Sequence, residues 1–150
     1  MPVTGADRAY IQELLARFGR AWDRGDQDAV AELFTPDGEF VTRGGVFHGT
    51  EALRAMTRAY VRQMPFAGRT QHWVTNVVVE ELDDDKCSVT SYCGAFREID
   101  TNSLAMTMMS EYADIVVRSG DRWRFARREI VKIYPDRLKS FVLQDDRETS

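Results

Sequence analysis

The second half of the chain is built from strand-forming runs at 70–80, 86–98, 106–117 and 122–133, each rich in Val, Thr, Tyr, Phe, Trp or Ile. Asp83-Asp84-Asp85 and Ser119-Gly120-Asp121 have the composition of tight turns, so the runs they join are expected to pair antiparallel. Asp100-Thr101-Asn102-Ser103 reads as a looser loop. A meander of this length needs an apolar cover, and the first half supplies it. Over 7–23, Tyr10, Ile11, Leu14, Leu15, Phe18, Ala21 and Trp22 recur at helical spacing, with Arg8, Glu13, Arg17 and Arg20 between them.

Arg24-Gly25-Asp26 supplies a helix stop and then a cap for a second, short helix carrying Ala29, Val30, Leu33 and Phe34. Thr35-Pro36-Asp37-Gly38 predicts a turn, 39–42 a strand, and Gly44-Gly45 a turn into Val46-Phe47. A third helix opens at Thr50 as N-cap. Its buried stripe is Leu53, Met56, Tyr60 and Met64, and Pro65-Phe66-Ala67-Gly68 ends it. Helices followed by antiparallel strands predict an α+β fold, with the helices on one face of a curved sheet. The space between the layers is the natural place for an apolar ligand pocket.

With 150 residues, the chain is expected to form one domain, with its core over 7–134 and an extension over 135–150. The net charge of −4 argues against nucleic acid as a partner. No apolar run reaches the ~20 residues of a membrane span. The first residues lack a signal-peptide pattern, so a cytoplasmic location is expected. Cys87 and Cys93 share one run, about 20 Å apart at ~3.3 Å per residue, too far for a disulfide. Two distant thiols and two histidines on different elements form no credible metal site, and no cofactor is expected.

His72 is one of 2 histidines and sits among apolar and β-branched residues at the start of the first long run. An imidazole there, with a carboxylate brought to it, is the minimum kit for acid–base chemistry near neutral pH. Asp23, at the end of the first helix, is the candidate carboxylate. It would hold the Nδ1–H tautomer and stabilise the imidazolium formed when Nε2 takes a proton. The structural alternatives are a strand histidine bonded to a backbone carbonyl and an aspartate that caps the second helix.

The order and spacing of several short stretches are similar to those of the SnoaL-like branch of the nuclear transport factor 2-like superfamily. The stretches are Trp22-Asp23-Arg24-Gly25-Asp26, Leu33-Phe34-Thr35-Pro36-Asp37-Gly38, Gly49-Thr50-Glu51-Ala52-Leu53, Arg69-Thr70-Gln71-His72 with Asn76, and Gly120-Asp121-Arg122-Trp123-Arg124-Phe125-Ala126. The resemblance implies a cone-shaped α+β barrel with three N-terminal helices on a strongly curved sheet. Within the branch the chain resembles scytalone dehydratase and hexachlorocyclohexane dehydrochlorinase, whose Asp–His dyad falls here on Asp23 and His72. It also departs from them: no histidine stands near 97–99, Trp22 occupies a tyrosine position of the former, and Phe18 a lysine position of the latter.

The resemblance further implies a role for Arg128, matching an arginine on the last strand of the dehydrochlorinase. Strict alternation puts Arg124, Ala126, Arg128 and Ile130 on one face, with Trp123, Phe125, Arg127 and Glu129 on the other. Arg127 is then expected to pair with Asp114. Tyr112, Ser110 and Tyr92 are candidate hydrogen-bond donors to a substrate oxygen. Phe18, Trp22, Phe40, Met56, Tyr60 and Trp73 are candidate core or pocket wall, and His48 is expected at the surface.

These readings converge on a cofactor-free lyase or isomerase acting on a small apolar oxygenated molecule, as in polyketide or steroid metabolism. Two alternatives stand beside it: a non-catalytic binding or association module, and an epoxide hydrolase or cyclase in which Glu111 or Asp114 faces inward. The strand face carrying Trp123 and Phe125 is apolar enough to need covering, which predicts a homodimer or homotrimer.

Overall fold

In the computed structural model of the protein, residues 1–63 and 69–135 are described. The first helix, α1 (Gly5–Arg24), begins at a reciprocal cap: the Thr4 hydroxyl accepts from the Asp7 N–H, and the Asp7 carboxylate accepts from the Thr4 N–H. The free oxygen of Asp7 takes the Trp123 indole N–H and an Arg118 N–H, both at 2.8 Å, which ties the start of the helix to the sheet. Ile11, Leu14, Leu15, Phe18, Ala21 and Trp22 are buried along one stripe, while Tyr10 remains exposed.

The order continues α2 (Gln27–Glu32), β1 (Phe34–Thr42), β2 (Gly45–His48), α3 (Thr50–Gln63), β3 (Thr70–Asp83), β4 (Lys86–Asp100), β5 (Ser103–Ser119) and β6 (Arg122–Tyr134). The strands form one sheet in the order β2-β1-β6-β5-β4-β3. All neighbours are antiparallel except β1 and β6, which run parallel. α1 packs across β3 and β6, and α3 packs against α2, β1 and β2. This is the α+β cone expected from the sequence: helices first, closed over a curled, mostly antiparallel sheet.

Three local expectations change. Thr35-Pro36-Asp37-Gly38 lies inside β1 rather than forming a separate turn, because Phe34 and Glu39 flank a shift in its register with β6. Gly38 fits there because a Cβ would meet the Phe125 carbonyl oxygen at 2.9 Å. Thr101 and Asn102 make a tight two-residue connection, with the Asn102 N–H bonded to the Asp100 carboxylate at 2.8 Å. Thr50 is the first helical residue of α3, not its cap; the Gly49 carbonyl accepts the Leu53 N–H at 3.1 Å. The expected burial of Met64, the 65–68 stop and the extension beyond 135 lie outside the described residues.

Register irregularities in β6 decide which side chains reach the concave face. Ile115 pairs with Arg127 but Val116 with Phe125, so Ala126 is an extra residue, a bulge that breaks the alternation. Trp123, Phe125 and Arg128 therefore all point inward, 2%, 0% and 1% exposed, and Arg127 points away. The expected exposure of Trp123 and Phe125 on an outer interface is overturned. Exposed apolar side chains on the outer face are instead Trp73, Tyr92, Met106, Met109 and Tyr134, around a groove of about 650 Å³.

Candidate active site

Asp23 reaches the sheet because α1 stops just beyond it. Gly25, at φ 65°, takes the left-handed conformation; its N–H bonds the Trp22 carbonyl and the Asp26 N–H bonds the Ala21 carbonyl, both at 3.0 Å. The Asp26 side chain then caps α2 by accepting the Ala29 N–H at 3.0 Å. The capping role open to Asp23 is thus filled by Asp26. One turn earlier, Gly19 faces β3, where a Cβ would lie 3.3 Å from the His72 carbonyl oxygen. A glycine costs about 0.5–1 kcal/mol in a helix interior; here it lets α1 lie close on β3.

β3 is an edge strand of the sheet. His72 turns toward the helices, while its neighbour Trp73 stands outward, 58% exposed. The Asp23 Oδ1 lies 2.5 Å from His72 Nδ1, and Oδ2 accepts the His72 backbone N–H at 3.0 Å. The carboxylate thus satisfies an edge-strand N–H and orients the imidazole together. Because an ionised carboxylate can only accept, the tautomer of the neutral imidazole that fits this contact carries its proton on Nδ1 and its lone pair on Nε2. The two side chains are 10% and 17% exposed. They line a groove of about 460 Å³ with Arg20, Arg24, Thr70, Gln71 and Trp73.

On the inner side of the dyad, Trp22 and Tyr60 pack with ring centres 4.4 Å apart. The Tyr60 phenol is pushed up to about 12, first by burial and next by the negative charge of Asp23, so it stays a neutral donor close to the dyad. Phe18, Trp22, Phe40 and Met56 are buried in the core: Phe18 stacks on Trp22 at 5.8 Å and meets Phe40 edge-on at 5.6 Å. Cys93, buried on β4, feels the charges of both Asp23 and Arg128. Burial pushes its thiol up to about 11, with Arg128 lowering and Asp23 raising it. Both cysteines are free.

That second centre is a buried ion pair. Arg128 Nη1 donates to Asp114 Oδ2 at 2.9 Å, and the two side chains are 1% and 0% exposed. The guanidinium carbon lies 4.0 Å from the Tyr112 ring centre, 4.5 Å from Phe18 and 4.7 Å from Phe125. Burial raises the Asp114 carboxyl to about 6, with Arg128 holding it down from going higher. Burial also raises the Tyr112 phenol. Arg128 Nε, Asp114 Oδ1 and the nearby strand's Ser91 Oγ are buried with no hydrogen-bond partner. The expected Arg127–Asp114 pair is corrected by the Ala126 bulge: Arg127 bonds Glu39 and Glu129 instead.

Ser110 is buried, its hydroxyl 3.5 Å from the Cys93 carbonyl to which it donates. Tyr92, by contrast, stands on the outer face, 52% exposed, because β4 turns Ser91 and Cys93 inward. Tyr92 and Trp73 are thus on the side of the sheet away from Tyr112 and Arg128. Glu111 also lies outward, beside Lys132 at 3.7 Å. His48 is exposed, as expected. Among the described residues, no group of three or more His, Cys, Asp or Glu side chains is placed to hold a metal ion, and no helix is long and apolar enough to cross a membrane.

Gly19 escaped the sequence reading, although it left a signal, a glycine in mid-helix on the buried stripe. Asp114 was expected as the partner of Arg127 or as an inward carboxylate; it does face inward, in phase with Ser110 and Tyr112, and its partner is Arg128.

A curled, mostly antiparallel sheet closed by N-terminal helices defines a nuclear transport factor 2-like or cystatin-like cone, and the Asp–His pair lies where its first helix meets the edge strand. The SnoaL-like domain family matches residues 4–129, and the chain belongs to that family. A protein of unknown function with a cystatin-like fold from Nostoc punctiforme is 25% identical, with a TM-score of 0.79, covering 91% of this chain and 97% of that one. Rv3472(D26N) of Mycobacterium tuberculosis, also of unknown function, is 27% identical at a TM-score of 0.73, over 83% of this chain and 70% of its own. LinA is 22% identical at a TM-score of 0.71, covering 83% and 84%, a likeness of fold. No curated protein matches the chain by sequence.

Proposed function

We propose that the protein is a lyase or isomerase that works by acid–base catalysis without a cofactor, on a small, largely apolar, oxygenated molecule. The observation that carries this reading is the 2.5 Å contact between Asp23 Oδ1 and His72 Nδ1, which leaves Nε2 as the free base. Nε2 takes a proton from a carbon next to a carbonyl, and Asp23 stabilises the imidazolium. The electron pair moves into the carbonyl, whose oxygen is met by a donor: Tyr60, Tyr112, Ser110 or Arg128. In a dehydration the imidazolium then protonates the departing hydroxyl, and water leaves. In an isomerisation the same proton returns to a different carbon.

Proton exchange tests this directly. A panel of small ketones and hydroxyketones is incubated with the protein in heavy water and followed by NMR for deuterium at the activated carbon. Wild-type exchange should vanish in His72→Ala and fall by about 10²–10⁴-fold in Asp23→Asn. Exchange that persists in His72→Ala removes the base from this reading.

A second reading, epoxide opening, gains from one observation: Asp114 faces inward with its carboxyl raised to about 6. It would show as label from ¹⁸O-water in a diol product without carbon-bound deuterium. The protein is further proposed to act as a single-domain homodimer or homotrimer, joined through the apolar outer face around Met106, Met109 and Tyr134.

A further inference from the structure

The arginines of this chain are, as a rule, spoken for. Arg17 pairs with Glu13, Arg54 with Asp28, Arg58 with Glu51, Arg118 with Asp7 and Asp85, Arg127 with Glu39 and Glu129, and Arg128 with Asp114. Arg20 and Arg24 break the rule: among the described residues they have neither an ion pair nor a hydrogen bond. In a chain of net charge −4, unpaired cations are not the default.

Their position is the point. Arg20 and Arg24 stand one turn apart, which brings their side chains to one face of α1, and both line the groove that holds His72 and Asp23. The nearest carboxylates are engaged elsewhere. Both oxygens of Asp23 are bonded to His72, and Asp26 caps α2. Glu32 lines the neighbouring groove on the far side of the same arginines. The side chains of Arg62, in the last turn of α3, and Arg69, just before β3, likewise form no ion pair among the described residues, but neither lines this groove. α3 ends close by, since Val61 packs on Gly25. The C-terminal end of a helix favours a basic residue in its last turn, which accounts for Arg24 but not for a second unpaired arginine, Arg20, one turn earlier on the same groove.

We infer that the groove beside the dyad binds an anionic group of the substrate, a carboxylate or a phosphate, through Arg20 and Arg24. A guanidinium offers paired N–H donors that match either anion in a fork. Trp73 also lines the groove, with its ring outward against Phe96 at 4.4 Å. The substrate is then a small molecule with one anionic end. The anion also lies on the side where it stabilises a protonated His72. The inference rests on the acid–base reading for calling the anion part of the substrate, whereas the anion site itself stands apart from that reading.

The test uses the ¹⁵N-labelled full chain, titrated with inorganic phosphate and, separately, with benzoate, at fixed pH and ionic strength. The signals followed are the Trp73 indole N–H and the arginine Nε–H groups. We expect saturable shifts at Trp73, Arg20 and Arg24, with the midpoint raised at least about tenfold in Arg20→Gln/Arg24→Gln and unchanged in Arg54→Gln. Tighter phosphate binding assigns a phosphate ester, and tighter benzoate binding a carboxylate. Shifts that rise linearly without saturating, or a midpoint unmoved in the double variant, overturn the site.

The substrate arm compares carboxylic acids with their methyl esters in the exchange assay. The double variant should raise KM for the acid by at least about tenfold more than for the ester. Equal effects on both overturn the assignment to substrate. His72→Ala keeps the two ideas apart. Loss of exchange with phosphate binding retained supports both, and persistent exchange with retained binding refutes the base while leaving the anion site in place.

Discussion

Replacing Asp114 by Leu should destabilise the protein by about 3–5 kcal/mol, because it strands a guanidinium that has no route to water. The Arg128 side chain is 1% exposed, its Nη1 is 2.9 Å from Asp114, and three aromatic rings surround its guanidinium carbon at 4.0–4.7 Å. Arginine cannot shed its proton in a protein, so the charge stays when its partner goes. The reverse change, Arg128→Met, is milder. The carboxyl left behind already sits near 6 with the arginine present, so without it the group takes up a proton and becomes neutral. We expect a cost of about 1–3 kcal/mol at pH 7 for Arg128→Met, shrinking toward pH 5. The double variant Asp114→Leu/Arg128→Met should lie close to wild type, as buried pairs replaced by apolar residues often do. Urea unfolding followed by far-ultraviolet circular dichroism at pH 7 and pH 5 gives the full cycle. Costs for the two single variants that are equal at both pH values, or that simply add in the double variant, would refute the asymmetry.

Stability should also carry a signature of Asp7, whose carboxyl is held well below the usual range by the Trp123 indole, then by Thr4 and Arg118. A lowered carboxyl pKa contributes stability that is complete above the unfolded value near 3.8 and lost as pH falls through the folded value. The gap between wild type and Asp7→Asn in melting temperature should therefore be constant from pH 8 to 5 and close below pH 4; a gap independent of pH down to 2 contradicts it. For association, light scattering should give two or three times the 17.2 kDa chain mass. Met106→Lys/Met109→Lys should shift it to one; a wild-type monomer at micromolar concentration dismisses the outer face as an interface.

Much of the fold was legible because its punctuation is chemical. Arg24-Gly25-Asp26 names a left-handed stop and a cap, and the structure uses Gly25 and Asp26 in those roles. Asp83-Asp84-Asp85 closes a hairpin, with the Asp85 N–H bonded to the Asp83 carboxylate at 2.9 Å. The stretch 35–38 was harder. Its turn-like composition marks residues that do not follow the ladder, yet the strand runs through them: between paired positions Phe34/Phe125 and Glu39/Arg127, β1 has more residues than β6. Turn residues inside a strand look the same in sequence as turn residues between two strands, because what distinguishes them is the partner across the sheet.

The site divides along the same line. Asp23 and His72 could be proposed from residue type and the helix stop, since both roles depend on local chemistry. Arg128, Tyr112 and an inward Asp114 could each be proposed too, but the Arg128–Asp114 pairing could not, because it turns on the unpaired residue Ala126. With strict alternation, Arg127 would share a face with Trp123 and Phe125. The bulge moves that face on by one position, so Arg128 enters the core directly across from Asp114, and Arg127 remains outside with Glu39 and Glu129. No side chain at Ala126 announces this. Its signature lies in the neighbours: Trp123 and Phe125 in one phase, then a carboxylate on β5 that needs a cation opposite it. An Arg-Arg pair facing one buried acid leaves two registers open, and burial of Trp123 and Phe125, worth about 1.5–3 kcal/mol for a ring such as phenylalanine, selects the one with the bulge. The apolar demand of the core thus sets which arginine is available at the inner end of the cone.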